Sequence, residues 1–259
     1  MDFAHIRLEQ SPSAVATITL ARPDSLNALN AALIEELKAA LETLPGSGAR
    51  CLLLTGEGRA FSSGADLVAG GGLPDDVGAA LESHLNPLIE AIFALPMPVV
   101  AAVRGPCAGA GCSLALSADF VIAGASAYFL QAFINLGLVP DAGATWLLPR
   151  LAGRARAMEM MMLGERIPAE RAADWGMIAR VVDDDDLESE SIALATRLAM
   201  GPTIAYGLIR RLARDAGHSS LSDALAAERI AQRDAGRTED FKQAVFAFLQ
   251  KRPPSFDGR

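Results

Sequence analysis

Lysine is almost missing from this 259-residue chain. Lys38, Lys242 and Lys251 stand alone, and arginine supplies the rest of the 23 basic residues. Against 31 acidic residues the net charge is −8, with a pI near 5.0, which argues against nucleic acid or an anionic membrane as the main partner. Cysteine is scarce as well. Cys51, Cys107 and Cys112 form an odd set among apolar or small residues, with no CxxC spacing and no neighbouring histidine. That pattern predicts no metal site, buried reduced thiols and a cytoplasmic location. No apolar run is long enough to span a membrane, because Asp119 and several serines interrupt residues 112–130. The first ten residues do not read as a signal peptide.

What the chain does have is apolar mass: 51% of its residues are hydrophobic, enough for a sizeable core in one large domain or one with an appendage. Residues 98–120 organise the rest. A short Val and Ala run reads as a buried strand, Gly105 through Gly111 are nearly all small, and a buried helix is expected from Cys112 to just before Asp119. A strand that feeds a helix through tiny residues lets a ligand lie against the backbone. The first N–H groups of that helix are free to meet an oxygen carrying negative charge. A dinucleotide loop fits poorly, because Gly109-x-Gly111-x-x-Leu114 lacks the third glycine. A hydrolase elbow at Ser113 would have only His218 downstream as base, in a polar stretch. Plain helix–sheet packing is the bland alternative.

Along the chain, 6–9 and 15–20 read as a hairpin, and Asn30 as the N-cap of a helix reaching Leu44. Further strands are expected at 51–55, 120–123, 127–129 and 178–182. Helices are expected at 77–95, from Asp141 as N-cap to Leu151, at 155–163 and at 169–175. Residues 68–76, with Gly70, Gly71 and Gly72, read as a surface loop. The acidic run Asp183, Asp184, Asp185 and Asp186 lacks the alternation of a calcium loop and reads as a solvated turn capping the next helix. After Pro202 only helices are expected: 203–216, 221–235 and 239–249.

Several ordered motifs then carry a resemblance: Arg22-Pro23 with Leu26-Asn27-Ala28-Leu29, Ala60 through Leu67, Gly105 through Asp119, Phe133 with Leu136 through Gly143, and Ala247 through Arg252. Together they resemble the crotonase, or enoyl-CoA hydratase/isomerase, superfamily over essentially the whole length. The resemblance implies an α/β spiral of β-β-α repeats over 1–200 and a helical region over 201–259 that mediates trimers, often paired into hexamers. It also implies a coenzyme A thioester as substrate, with no cofactor beyond that CoA. By position, the backbone N–H groups of Ala65 and Ala110 would form an oxyanion hole. Leu26, Ala28, Ser63, Asp66, Leu67, Gly109 and Phe133 would contact substrate or CoA, and Phe248 and Lys251 would reach CoA from a neighbouring subunit.

The departures decide the expected chemistry. Hydratases of the family use two glutamates, and those positions hold Ser113 and Phe133, neither an acid nor a base near neutral pH. One carboxylate remains in the family's active-site turn, Asp141. The turn, the following Thr145 to Arg150 and the segment Trp175 to Ile178 most resemble bacterial 1,2-epoxyphenylacetyl-CoA isomerases of phenylacetate breakdown. The expected activity is therefore isomerisation of an enoyl-CoA-type thioester, by double-bond shift or epoxide-to-oxepin rearrangement, with Asp141 as proton shuttle. The alternatives are a hydratase with a non-standard water site and a non-catalytic acyl-CoA or RNA-binding relative.

Overall fold

Strands β1 (Ile6–Gln10) and β2 (Val15–Leu20) pair antiparallel as the expected hairpin. Every later step in the main sheet is parallel: β2 to β3 (Cys51–Gly56), β3 to β4 (Val99–Val103), and β4 to a strand at Phe120–Gly124. The computed structural model that shows this describes residues 3–66 and 76–259. Leu67 and nearly all of the expected 68–76 loop lie outside the described residues.

The apolar strands β3 and β4 are covered on both faces, as parallel sheets require. Leu52, Leu54, Val99, Ala101 and Val103 join the larger core with α1 (Ala31–Thr43) and α2 (Asn86–Ala94). Cys51, Leu53, Val100 and Ala102 face a second, smaller core. Asn30 caps α1 as expected, its side chain accepting from the Leu33 N–H. Helix α2 begins later than its pattern suggested. The helical backbone starts at Ala79, widens into a π-helical turn at Leu81–Leu85 and becomes regular only at Asn86, next to Pro87.

The chain then spirals. β4 leads into β5 (Pro106–Ala108), a strand not expected among these small residues, and straight into α3 (Gly109–Leu116). Helix α3 starts three residues before the expected Cys112, because Gly109 and Gly111 pack it directly onto the preceding layer. The next turn repeats the order: β6 (Phe120–Gly124), β7 (Tyr128–Leu130), a 3-10 helix at Ala132–Leu136, then α4 (Ala144–Ala152). After α5 (Arg154–Leu163), β5, β7 and β8 (Ile167–Pro168) make a small second sheet. Helix α6 (Ala169–Asp174) leads to β9 (Arg180–Val182), which closes the main sheet in the order β1-β2-β3-β4-β6-β9.

The acidic run forms a turn before α7 (Leu187–Ala199), yet no carboxylate there caps the helix. Asp184 instead accepts from the Ser126 N–H. Among the described residues no acidic or His/Cys group has metal-binding geometry, and no single helix is long and apolar enough to cross a membrane. All three cysteines are unpaired and buried, and burial pushes the Cys51 thiol up to about 12 and Cys107 well above its usual value. Helices α8 (Thr203–Ala216), α9 (Leu221–Ala235) and α10 (Glu239–Leu249) fall where the sequence placed them.

Candidate active site

Two segments far apart in sequence are stitched together first. Asn27, fully buried in a left-handed conformation, donates from its amide to the Glu57 and Ala60 carbonyls and accepts from the Arg22 N–H. Ser62 donates its hydroxyl to the Asn27 carbonyl and accepts from the Gly64 N–H. Leu29 then pairs with residues 64–66 like a strand: its N–H donates to Gly64 and its carbonyl accepts from Asp66. Within this web the Ala65 N–H has no partner among the described residues, and Ala65 is exposed.

The same segment meets α3. Ser62 bridges to Cys107 in β5, and the Ala108 N–H donates to the Ser62 carbonyl. Gly64 has φ +93°, and a side chain there would come 2.9 Å from the Ala108 carbonyl oxygen and 3.4 Å from the Gly109 Cα. At Gly111 an added Cβ would lie 2.5 Å from the Ser62 side chain. Ala110 is the second residue of α3, where an N–H finds no carbonyl one turn back. Close approach of small residues thus sets two uncommitted backbone donors, Ala65 and Ala110, on adjoining segments.

The third component is the turn from Pro140 to Gly143. Ser113 on α3 donates its hydroxyl to the Asp141 carbonyl at 3.2 Å, which joins this turn to the helix carrying Ala110. Asp141 does not cap α4: Gly143 takes that position, and no side chain bonds the helix N-terminus. The Asp141 Oδ1 is buried without a hydrogen-bond partner, and burial raises its pKa from 3.8 to about 6. Ala142 is held at φ +50°, a conformation disfavoured for a residue with a Cβ, so the turn carries some strain at this point. Phe133, almost fully buried, places its ring edge 3.7 Å from where a Gly109 side chain would be. Of the two positions without glutamate, Ser113 thus touches the Asp141 turn and Phe133 lies against the start of α3 at Gly109.

The remaining expected residues divide. Leu26, in a left-handed conformation, and Ala28 lie on the stitched loop, with the Leu26 carbonyl accepting from the Ser63 N–H. Asp66 directs its carboxylate to Arg22 at 2.9 Å. Phe248 is 80% exposed at the end of α10, and Lys251 follows in the closing turn. No hydrogen bond joins either to the site among the described residues. Pattern reading missed the Arg22–Asp66 pair, since neither residue's spacing announces the other. It also missed Gln131, fully buried at the end of β7 with both amide atoms unpartnered.

A β-β-α spiral whose helix α3 packs against a segment with an uncommitted backbone N–H and is tied to a turn carrying a desolvated carboxyl group defines a protein of the crotonase fold. The chain belongs to the enoyl-CoA hydratase/isomerase family, whose model matches residues 10–259. It is 47% identical to the 1,2-epoxyphenylacetyl-CoA isomerase of Escherichia coli over 250 residues, 95% of each chain. It is also 47% identical over 259 residues, all of both chains, to a Rhodobacter capsulatus protein named "Probable enoyl-CoA hydratase". The solved enoyl-CoA hydratase of Bacillus anthracis superposes with a TM-score of 0.94 at 32% identity, covering 99% of this chain and 100% of that one.

Proposed function

We propose that this protein is a CoA-thioester isomerase that moves a proton between carbons of one substrate. In this reading the N–H groups of Ala65 and Ala110 hold the thioester oxygen as it becomes an enolate. Such a donor is typically worth about 3–4 kcal/mol to the transition state. Asp141 takes a proton from one carbon as a carboxylate and delivers a proton to another carbon as the acid, so atoms balance without water. One base suffices. An aryl epoxide substrate would use the same enolate stabilisation for ring expansion, and the Escherichia coli relative is named as an isomerase of such an epoxide, 1,2-epoxyphenylacetyl-CoA. The reaction needs no cofactor beyond the substrate's own CoA. In this reading Leu26, Ala28, Ser63, Gly109 and Phe133 line the thioester's path, Asp66 is committed to Arg22 rather than to CoA, and Phe248 and Lys251 come from a neighbouring copy in a trimer or a pair of trimers.

The observation that carries this reading is Asp141, a carboxyl group with an uncommitted oxygen and a pKa raised to about 6 by burial. That value suits proton exchange with carbon near neutral pH: about nine-tenths of the groups are charged at pH 7, yet the base is stronger than an ordinary carboxylate. Hydration is the second reading, favoured by the Rhodobacter capsulatus relative's name. It lacks a second acid or base at Ser113 and Phe133. The test is incubation with aryl and straight-chain enoyl-CoAs in deuterated water, followed by mass spectrometry. Double-bond migration or deuterium exchange without added water supports isomerisation. Gain of one water supports hydration, and silence across the panel favours a binding protein.

A further inference from the structure

The Ala65 N–H is useful only if its direction is fixed, and the backbone around it is fixed unevenly. On one side Gly64 is held twice, its carbonyl by the Leu29 N–H at 2.8 Å and its N–H by the Ser62 hydroxyl at 3.2 Å. On the other side Asp66 is held by its N–H on the Leu29 carbonyl at 3.0 Å and by its carboxylate on Arg22 at 2.9 Å. Arg22 is itself anchored. Its N–H donates to the Asn27 side chain, and a second guanidinium nitrogen donates to the Ala28 carbonyl. The guanidinium fork therefore ties the loop before α1 to the residue after Ala65, bridging a main-chain and a side-chain acceptor at once. The pair is largely out of water, with side-chain exposures of 20% for Arg22 and 10% for Asp66. Little solvent screening weakens it, and little slack is left in the Ala65 peptide between its two anchors.

We propose that the Arg22–Asp66 ion pair positions the Ala65 donor and so governs turnover rather than substrate affinity. The proposal rests on reading Ala65 as an oxyanion donor. Arg22 and Asp66 are positioning residues, and neither need touch the reacting atoms. A donor misplaced by a fraction of an ångström still admits substrate but loses its hold on the developing charge, an effect that appears in kcat before KM. Lysine is not an adequate replacement, because a single ammonium cannot bridge the Ala28 carbonyl and the Asp66 carboxylate with the planar geometry of the fork.

The experiment uses full-length protein and two readouts: kcat and KM on the best thioester substrate, and the enolate fraction of bound acetoacetyl-CoA from its near-ultraviolet absorbance. Wild-type protein that binds acetoacetyl-CoA without enriching its enolate overturns the donor reading itself, and this proposal with it. Given enrichment, Arg22→Lys, Asp66→Asn and the neutral double variant Arg22→Gln/Asp66→Asn are compared. The expected result is a kcat lower by about 10- to 100-fold in each, the scale of a misaligned reacting group. KM should stay within about threefold, the enolate fraction should fall, and the double variant should be no worse than the worse single, as for residues acting as one unit. A raised KM at unchanged kcat overturns the proposal in favour of direct CoA contact. Unchanged kinetics with a lowered melting temperature, or failure of all three variants to fold, overturns it in favour of a purely structural pair.

Discussion

Asp141 sits in the turn before α4 with one carboxyl oxygen buried and unpartnered, and burial raises its pKa to about 6. A proline followed by aspartate ahead of a helix reads as an N-cap, yet Gly143 holds that position and the Asp141 side chain is left uncommitted. The distinction was invisible in the pattern, because the two readings differ only by the left-handed turn at Ala142 and Gly143. It has consequences for pH. With a folded pKa near 6 against 3.8 unfolded, the folded state holds the proton more tightly, so this group weakens stability as pH rises from about 4 through 6. Asp141→Asn should therefore stabilise the fold at pH 8 by on the order of 1 kcal/mol after solvent screening, seen as a higher melting temperature, and leave it nearly unchanged at pH 4. Thermal melts at the two pH values check this. If the charged form is the base, kcat/KM should fall about tenfold per pH unit below 6, a limb read directly from a pH–rate profile. Ser113 and Phe133 carry the complementary expectation. Crotonyl-CoA hydration should stay well below about 10⁴ M⁻¹s⁻¹ in kcat/KM, and a value above that would count against isomerisation as the main reaction.

At the scale of elements, hydrophobic periodicity and caps located the hairpin, α1 and the three C-terminal helices, since each has an apolar face or a Ser, Thr or Asn start. Small residues hid the rest. β5 has three residues and takes its ladder from β7, so it left no periodic signal, and α3 has apolar or small residues all round, so its start could not be seen. The segments carrying Ala65 and Ala110 were legible as family motifs, but their mutual contact depends on Gly64 and Gly111, whose missing side chains speak only once the neighbours are known. Gly64→Ala tests that contact. A Cβ 2.9 Å from the Ala108 carbonyl, at φ +93°, must push the donors apart. The expected cost is about 1–3 kcal/mol of stability, together with a lower kcat. An unchanged melt and turnover would mean that the close approach is dispensable.

Over the whole molecule, the C-terminal helices are fastened to the core mainly by arginines. Arg210 pairs with Asp119 at 2.6 Å and reaches the Ile92 and Leu95 carbonyls, Arg214 reaches the Phe93 carbonyl, and Arg50 holds the Gly201 and Phe256 carbonyls with the Thr203 hydroxyl. Their apolar side chains are left outside: Ile209, Leu225, Phe241, Phe246, Phe248 and Leu249 are all exposed. The amphipathic patterns of α8–α10 were readable, but a single chain cannot say what covers them. The proposed trimer does. Light scattering of the intact protein should give the mass of three 27.1-kDa chains or a multiple of it. Truncation after Gly201 should abolish that assembly and weaken CoA binding, whereas trimers of unchanged CoA affinity after truncation would contradict the role given to Phe248 and Lys251.

The most direct test of the central claim is the turnover of Asp141→Asn measured beside its thermal melt. Asparagine keeps the size of aspartate but accepts no proton at neutral pH. The account predicts a folded variant, at least as stable as wild type at pH 8, that binds CoA thioesters normally and isomerises them about 10²–10⁴ times more slowly. Near-normal turnover in a well-folded Asp141→Asn would contradict it and remove Asp141 from the mechanism.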